Sequence, residues 1–427
     1  MDINKILQIK KNKTLLNGFL FSSFSFVNKG MGFILLILLA NFISPEEYGY
    51  LSLYTTFIMF ISYIIGLSTN GYQSITYFKD SKEETKKDTT CILTISVISF
   101  MVIHLVLLAG KGIFPQLTNL SFPILQIGIC ISFFNFFYLV NLEFLRIKEQ
   151  VYKYGYLSCG HTLFNFILSL IFVISFSLNW KGRIYAEGIS SIIFFIVAIV
   201  YFHQQRLITF KGINPSRFKR IIFWGLPLIP HLAANWIKQG GDRYIIENYH
   251  TMEEVGLFSF ALNLTNIIIM IGVAFNASNS VDIYKTLSIN VEKEKIHSLI
   301  KRKEKTYLLI YLFTSTIIVV SCSIIIPYLL PQYANSISYF WILGIYGFLQ
   351  CAYFIYCNYL FYYKKNKYIM YITFTSSILH LILSILLTKY SLYLTALIYV
   401  ISHAYILLAI NHISNKAIKQ NLYESNY

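Results

Sequence analysis

Between Thr90 and Gly110 the chain reads TCILTISVISFMVIHLVLLAG, without one Asp, Glu, Lys or Arg. A run of about 20 apolar residues crosses a ~30 Å hydrocarbon core as a helix. In lipid the backbone must satisfy its own hydrogen bonds, which leaves helices and closed barrels as the only spanning structures. This run is continuously apolar. It does not alternate in ten-residue pieces, so it reads as a helix and excludes a barrel.

Similar runs recur on both sides. The spans are expected at 15–42, 48–70, 90–110, 120–142, 157–178, 185–202, 221–245, 255–277, 306–327, 337–359, 368–388 and 393–411. The 427 residues are 56% hydrophobic, 17% aromatic and 13% charged. A soluble domain carries about 25% charged residues, so this chain lacks the charge for a water-facing surface of its size. The fold class is therefore an all-α membrane protein of about twelve transmembrane helices. The basic N-terminal lead has no short apolar region closed by a small-residue cleavage site, and it reads as the entry to the first span rather than a signal peptide.

The net charge is +16, but its distribution argues against nucleic acid. With the N-terminus inside, the inward segments hold 28 of the 35 Lys and Arg residues. These include Lys5, Lys10, Lys11 and Lys13, the 78–89 loop, Arg146, Lys148 and Lys153, the 203–220 loop and the 278–305 loop. Outward segments hold four: Lys111, Lys181, Arg183 and Lys389. That asymmetry is the positive-inside signal; it puts both termini in the cytoplasm and requires an even number of spans. The inward cations also suit anionic lipid headgroups. The longest inward connection, with Ile289, Ile296, Leu299 and Ile300, is expected to lie as an amphipathic segment on the membrane surface.

An internal repeat divides the chain. Pro45-Glu46-Glu47-Tyr48-Gly49-Tyr50-Leu51-Ser52-Leu53 matches Met252-Glu253-Glu254-Val255-Gly256-Leu257-Phe258-Ser259-Phe260, both read as outward turns. Further matches in the same order are Phe114-Pro115-Gln116 with Leu330-Pro331-Gln332, and the stretch from Phe164 to Leu170 with that from Leu379 to Ile385. The expected domains are two pseudo-symmetric six-helix bundles, 1–205 and 206–427. Six is even, so both insert with the same orientation, as in transporters that rock two bundles about a central site.

A charge at the bilayer centre costs about 2.5–3.5 kcal/mol on insertion scales, so charges held there face a cavity or a partner. Lys29 lies in the first span. In the seventh, His231, Asn235, Lys238 and Asp242 fall on one helix face, and Arg243 follows. Lys238 and Asp242 also have the spacing of a structural i, i+4 ion pair. Other polar stripes are Ser158, His161, Thr162, Asn165 and Ser169 in the fifth span, Ser259, Asn263 and Asn266 in the eighth, and Thr373, Ser377, His380 and Ser384 in the eleventh. Interhelical hydrogen bonding is the alternative reading of these stripes. The fifth and eleventh spans are repeat-related, and their polar faces are expected to meet across the pseudo-symmetric interface. Pro227 and Pro230 should break the start of the seventh span, either as a simple helix start or as a hinge.

Six cysteines fall at no metal-ligand spacing, so neither metal nor disulfide is expected. No nucleotide-binding, hydrolase or glycosyltransferase constellation is present, and no cofactor is implied. The short outward loops leave no room for enzyme machinery, so the protein reads as a transporter, not an enzyme.

Several motifs resemble the polysaccharide-transport flippases (Wzx-type, O-antigen or capsule repeat-unit transporters). These are Pro45-Glu46-Glu47-Tyr48-Gly49, Gly66-Leu67, Trp180-Lys181-Gly182-Arg183-Ile184-Tyr185-Ala186, Gly225-Leu226-Pro227-Leu228-Ile229-Pro230-His231, Asp242-Arg243 and Val255-Gly256-Leu257-Phe258-Ser259. That family belongs to the multidrug/oligosaccharidyl-lipid/polysaccharide exporter superfamily. The resemblance implies a central cationic cavity and an undecaprenyl-diphosphate-linked oligosaccharide moved to the outer leaflet of the bacterial inner membrane. It also implies coupling to H+ or Na+, with a polysaccharide polymerase and chain-length machinery as partners. Twelve spans, without the two further helices of lipid II flippases, point away from a peptidoglycan precursor. On this reading Lys29, Arg146, Lys153, Lys238 and Arg243 attract the diphosphate. His161, Asn165, His231, Asn235, Asn263, Asn266 and His380 line the sugar path, and Asp242 couples to the ion. The alternatives are an ion-coupled multidrug antiporter, which predicts a cavity dominated by carboxylates, and a membrane polymerase or ligase.

Overall fold

The computed structural model describes residues 3–288 and 293–423, with side chains described over 16–288 and 295–420. The lysines at 5, 10, 11 and 13, together with Ile289 and Lys293, fall outside the described side chains.

Among the described residues every regular element is helical. Two compact units divide the chain at Ala233/Ala234. The first contains α1 (Ile3–Leu39), α2 (Pro45–Ile64), α3 (Tyr72–Thr76), α4 (Lys82–Ala109), α5 (Phe114–Thr118), α6 (Phe122–Ile147), α7 (Val151–Leu170), α8 (Asn179–Gln204) and α9 (Pro215–Gly225). α10 (Leu228–Trp236) carries the boundary. The second unit continues with α11 (Asp242–Tyr249), α12 (Met252–Leu287), α13 (Lys293–Leu329), α14 (Ser336–Tyr362), α15 (Asn366–Leu387) and α16 (Leu392–Tyr423).

Eleven described stretches are long and apolar enough to cross a membrane. The remaining segment, expected as one span at 221–245, is discontinuous. It runs from α10 through a π-helical turn, Ile237–Gly241, into α11. Counting it, each unit has six crossing segments. Pro227 separates it from α9, which is a helix of its own, capped by the Asn214 side chain with Pro215 in the first turn.

α9 explains why the units divide later than the expected 205/206 boundary. Arg217 pairs with both Glu84 and Asp88 on α4, and Arg220 Nη2 lies 3.3 Å from the same Asp88. Asp88 is fully buried. The Thr209 amide donates to Thr90 Oγ1 at 2.9 Å. The connection is thus bound to the first unit. Partial burial works against the Arg217 charge, but the Glu84 and Asp88 hydrogen bonds outweigh it and hold its pKa above the ordinary value.

The repeated sequence proves to be a helix start rather than a turn. Ser44 and Thr251 each cap a helix, α2 and α12, and Glu47 and Glu254 accept hydrogen bonds of 3.0 Å from the cap amides. A capping box satisfies two otherwise orphaned backbone donors, which explains a Ser/Thr followed by Glu three residues on.

The second span is also broken. Gly66, Leu67 and Ser68 all take positive φ, at 71°, 49° and 57°. One left-handed turn of this kind is costly for side-chain-bearing residues. Gly66 cannot be otherwise: a Cβ there would lie 2.1 Å from the Phe136 ring. Thr69 Oγ1 donates to the Gly66 carbonyl at 2.5 Å, and Ser68 Oγ donates to the Tyr63 carbonyl at 3.3 Å. These side chains satisfy backbone groups freed by the break.

The inward connection at 278–305 differs from expectation. α12 and α13 extend as helices almost to meet, and Ile296 and Ile300 are buried inside the unit, not laid on the membrane. Lys303 pairs with Asp282 at 2.7 Å, and Tyr307 donates to the same carboxylate. These cross-helix pairs turn the apolar face toward protein. Leu299 alone of the described residues proposed for the surface remains exposed.

Candidate functional site

In the second unit the π turn and α11 carry three buried ionisable groups: Lys238, Asp242 and Arg243. Asp242 does not pair with Lys238. Its Oδ2 lies 2.7 Å from His380 Nε2 on α15, and both residues are fully buried. Lys238 Nζ instead donates to the Thr373 carbonyl at 3.4 Å. Lys238 sits in the π turn, where the i→i+5 pattern changes the register that a four-residue spacing assumes. Arg243 Nε donates to Ser259 Oγ at 3.0 Å, and its Nη1 donates to the Gln239 carbonyl at 3.2 Å.

The hydrogen bonds around His380 constrain its protons. Ser402 Oγ donates to the Ile398 carbonyl at 2.7 Å. Its single proton is therefore spent, and toward His380 Nδ1, 3.1 Å away, it acts as acceptor. Nδ1 must carry a hydrogen. Nε2 and Asp242 Oδ2, at 2.7 Å, must then share another, because two bare acceptors repel at that distance. The pair holds one shared proton and is neutral overall, the arrangement least costly in an apolar interior. The buried Tyr399 hydroxyl also interacts with the Asp242 carboxylate. The Tyr399 ring stands edge-on to His380 at 4.7 Å.

In the first unit, Asn165 on α7 meets Arg183 on α8. Arg183 Nη1 donates to Asn165 Oδ1 at 2.6 Å and to Ser169 Oγ at 3.4 Å, with Glu187 Oε2 3.9 Å away. His161 stacks on Tyr138 at 4.5 Å, and its Nε2 is buried without a partner. His161, Thr162, Asn165, Arg183 and Glu187 line a cavity of about 170 Å³. Asn165 and Ser169 on α7 and His380 on α15 thus find these partners inside their own unit.

The other expected site residues are dispersed. Lys29 is exposed on α1, with no acidic partner among the described residues. Arg146 is exposed and paired with Glu143 at 2.6 Å, and Lys153 is exposed in the first turn of α7. His231 is exposed on α10, Asn235 and Asn263 are half-buried, and Asn266 is exposed on α12. Arg183 and Glu187 were not singled out in the sequence. Arg183 counts there as an outward-loop cation, yet it falls inside α8, and the four-residue spacing to Glu187 was the available signal.

Comparison with known proteins agrees with this architecture. Residues 15–281 match the polysaccharide biosynthesis protein family. Lsg locus protein 1 of Haemophilus influenzae is 23% identical over 367 residues, covering 84% of this chain and 88% of the relative. An uncharacterized membrane protein of Haemophilus influenzae is 22% identical over 362 residues, covering 83% and 85%. Among solved structures, an inward-facing MATE family multidrug resistance transporter of the MOP superfamily superposes with a TM-score of 0.73 at 15% identity, covering 95% of this chain and 96% of that one. The lipid II flippase MurJ in an inward closed conformation also gives 0.73, at 14% identity, covering 94% and 89%. Together with the eleven apolar stretches long enough to cross a membrane, these matches identify the chain as a multi-pass membrane protein of the polysaccharide biosynthesis protein family.

Proposed function

We propose that the protein is a flippase that moves an undecaprenyl-diphosphate-linked oligosaccharide repeat unit from the cytoplasmic to the outer leaflet of the bacterial inner membrane. The product feeds O-antigen or capsular polysaccharide synthesis, and polymerase and chain-length machinery act downstream. The two six-helix halves alternate access, coupled to protons through Asp242. The observation that carries the reading is the fully buried Asp242–His380 pair beside Lys238 and Arg243. Removing its shared proton leaves a buried carboxylate facing a bare imidazole nitrogen, so proton loss and rearrangement are linked. The family description names polysaccharide biosynthesis, and one similar structure is a lipid II flippase, which favour a glycolipid cargo. The buried cations Lys238 and Arg243 suit a phosphorylated cargo better than the cationic drugs of an antiporter.

In a strain lacking the protein, lipid-linked repeat units should accumulate in the inner leaflet and surface polysaccharide should disappear. Lys29→Ala and Arg243→Ala should each restore export about tenfold less well than the intact protein, the loss of one charge-assisted contact. Full export by both variants, inserted at normal levels, would remove the cations from the mechanism. Unchanged surface polysaccharide in the deletion strain would remove the function.

A further inference from the structure

On the first unit, the seam between α1 and α7 holds two cavities that adjoin. One is an apolar groove of about 490 Å³, walled by Phe24, Val27 and Met31 on α1 and by Tyr156, Gly160 and Leu163 on α7. The other is the 170 Å³ pocket containing His161, Asn165, Arg183 and Glu187. Met31 belongs to both walls. The surface therefore changes from mainly apolar to charged, with Met31 at the junction.

The groove is open rather than enclosed. A Cβ at Gly160 would meet nothing within 4 Å, and Tyr156 on its rim is 80% exposed. The pocket is equally unfilled in its chemistry. Arg183 spends Nη1 on Asn165 and Ser169, and Glu187 is only at the limit of ion-pair range. A guanidinium has five donors, so Nε and Nη2 remain to grip two oxygens of one phosphate side-on. His161 Nε2 is a further buried atom without a partner. The space equals that of about six water molecules, enough for a phosphate and part of a ring.

An occupant must match both ends: one apolar chain, then a phosphorylated polar head. We propose that this seam seats the junction of the transported lipid, with the polyprenyl chain in the groove and the adjoining phosphate on Arg183. This rests on the flippase reading and adds where the cargo's chain and phosphate meet the protein. A two-chain phospholipid would leave one acyl chain without a groove. Glu187 holds the guanidinium while the pocket is empty and yields it to the better geometry of a phosphate. A bare cation there would be costly within the membrane, which gives Glu187 a reason to be present.

Cys159 lines the groove and is a free thiol, so it reports occupancy. Purified protein in detergent is treated with a maleimide, and labelling of Cys159 is read by peptide mass spectrometry. Farnesyl diphosphate, a single-chain prenyl diphosphate, should protect Cys159, whereas phosphatidylglycerol should not. Direct titration should show Arg183→Gln weakening farnesyl diphosphate binding about tenfold or more. Gly160→Leu, which fills open space, should weaken farnesyl diphosphate but leave inorganic pyrophosphate binding unchanged. Absence of protection by farnesyl diphosphate, equal protection by phosphatidylglycerol, or unaltered affinity in both variants overturns the assignment. If vesicles containing the protein still translocate a lipid-linked oligosaccharide in that event, the function stands and only this seat falls.

Discussion

Asp242→Asn should slow translocation roughly 5–150-fold, the range of a typical coupling free energy, while the protein still inserts and folds. Asp242 is fully buried and meets His380 Nε2 at 2.7 Å. An Asn amide can replace the hydrogen bond, and it removes a potential buried charge, so insertion is not penalised. What it cannot do is gain and lose a proton. Asp242→Glu, which keeps the titrating group, should recover part of the rate. Initial rates of repeat-unit translocation, normalised to membrane protein abundance, check the expectation. A purely structural role for Asp242 predicts the opposite ranking, with Asn the milder change and Glu, a longer side chain in a filled interior, the worse one.

Arg217→Ala should destabilise the protein by about 3–5 kcal/mol, the usual consequence of removing one partner from a buried ion pair. Arg217 pairs with Glu84 and Asp88, and only Arg220, at 3.3 Å, would remain beside the fully buried Asp88. Asp88 Oδ2 is already without a partner, so little slack exists to absorb the loss. The double variant Arg217→Ala/Asp88→Ala should be markedly more stable than Arg217→Ala alone, because no orphaned carboxylate is left. Melting temperature in detergent and abundance in membranes measure both. Equal stability of single and double variants would mean that α9 is held by something other than this cluster.

The crossing segments were legible because hydrocarbon imposes length and composition on each helix independently of its neighbours. The repeat was legible too, and its most regular part is a capping box, a local device written in consecutive residues. Partnerships were not. Asp242 and His380 each stood out, yet they are 138 residues apart, and the sequence offered the nearer Lys238 as the obvious partner. The π turn at Ile237–Gly241 leaves no sequence signature beyond its glycines, and it changes the helical register on which that pairing depended. Arg183 was hidden by a boundary: α8 begins six residues before the expected span at 185, which turns a loop cation into a helix residue facing Asn165. Asp88 and Glu84 carry no signal in a tally of cations, which assigns topology and ignores which carboxylates hold them.

On the proposed function, buried, proton-sharing groups serve the passage of a phosphorylated glycolipid across the bilayer. The most direct test places the purified protein in sealed vesicles carrying a polyprenyl-diphosphate-linked oligosaccharide. An impermeant periodate reagent outside then reads the exposed sugar over time. Intact protein should bring the inner-leaflet pool within reach in a time-dependent way, and Asp242→Asn vesicles should lag far behind. A protected pool that stays constant with intact protein, under an imposed proton gradient of either direction, would contradict that function.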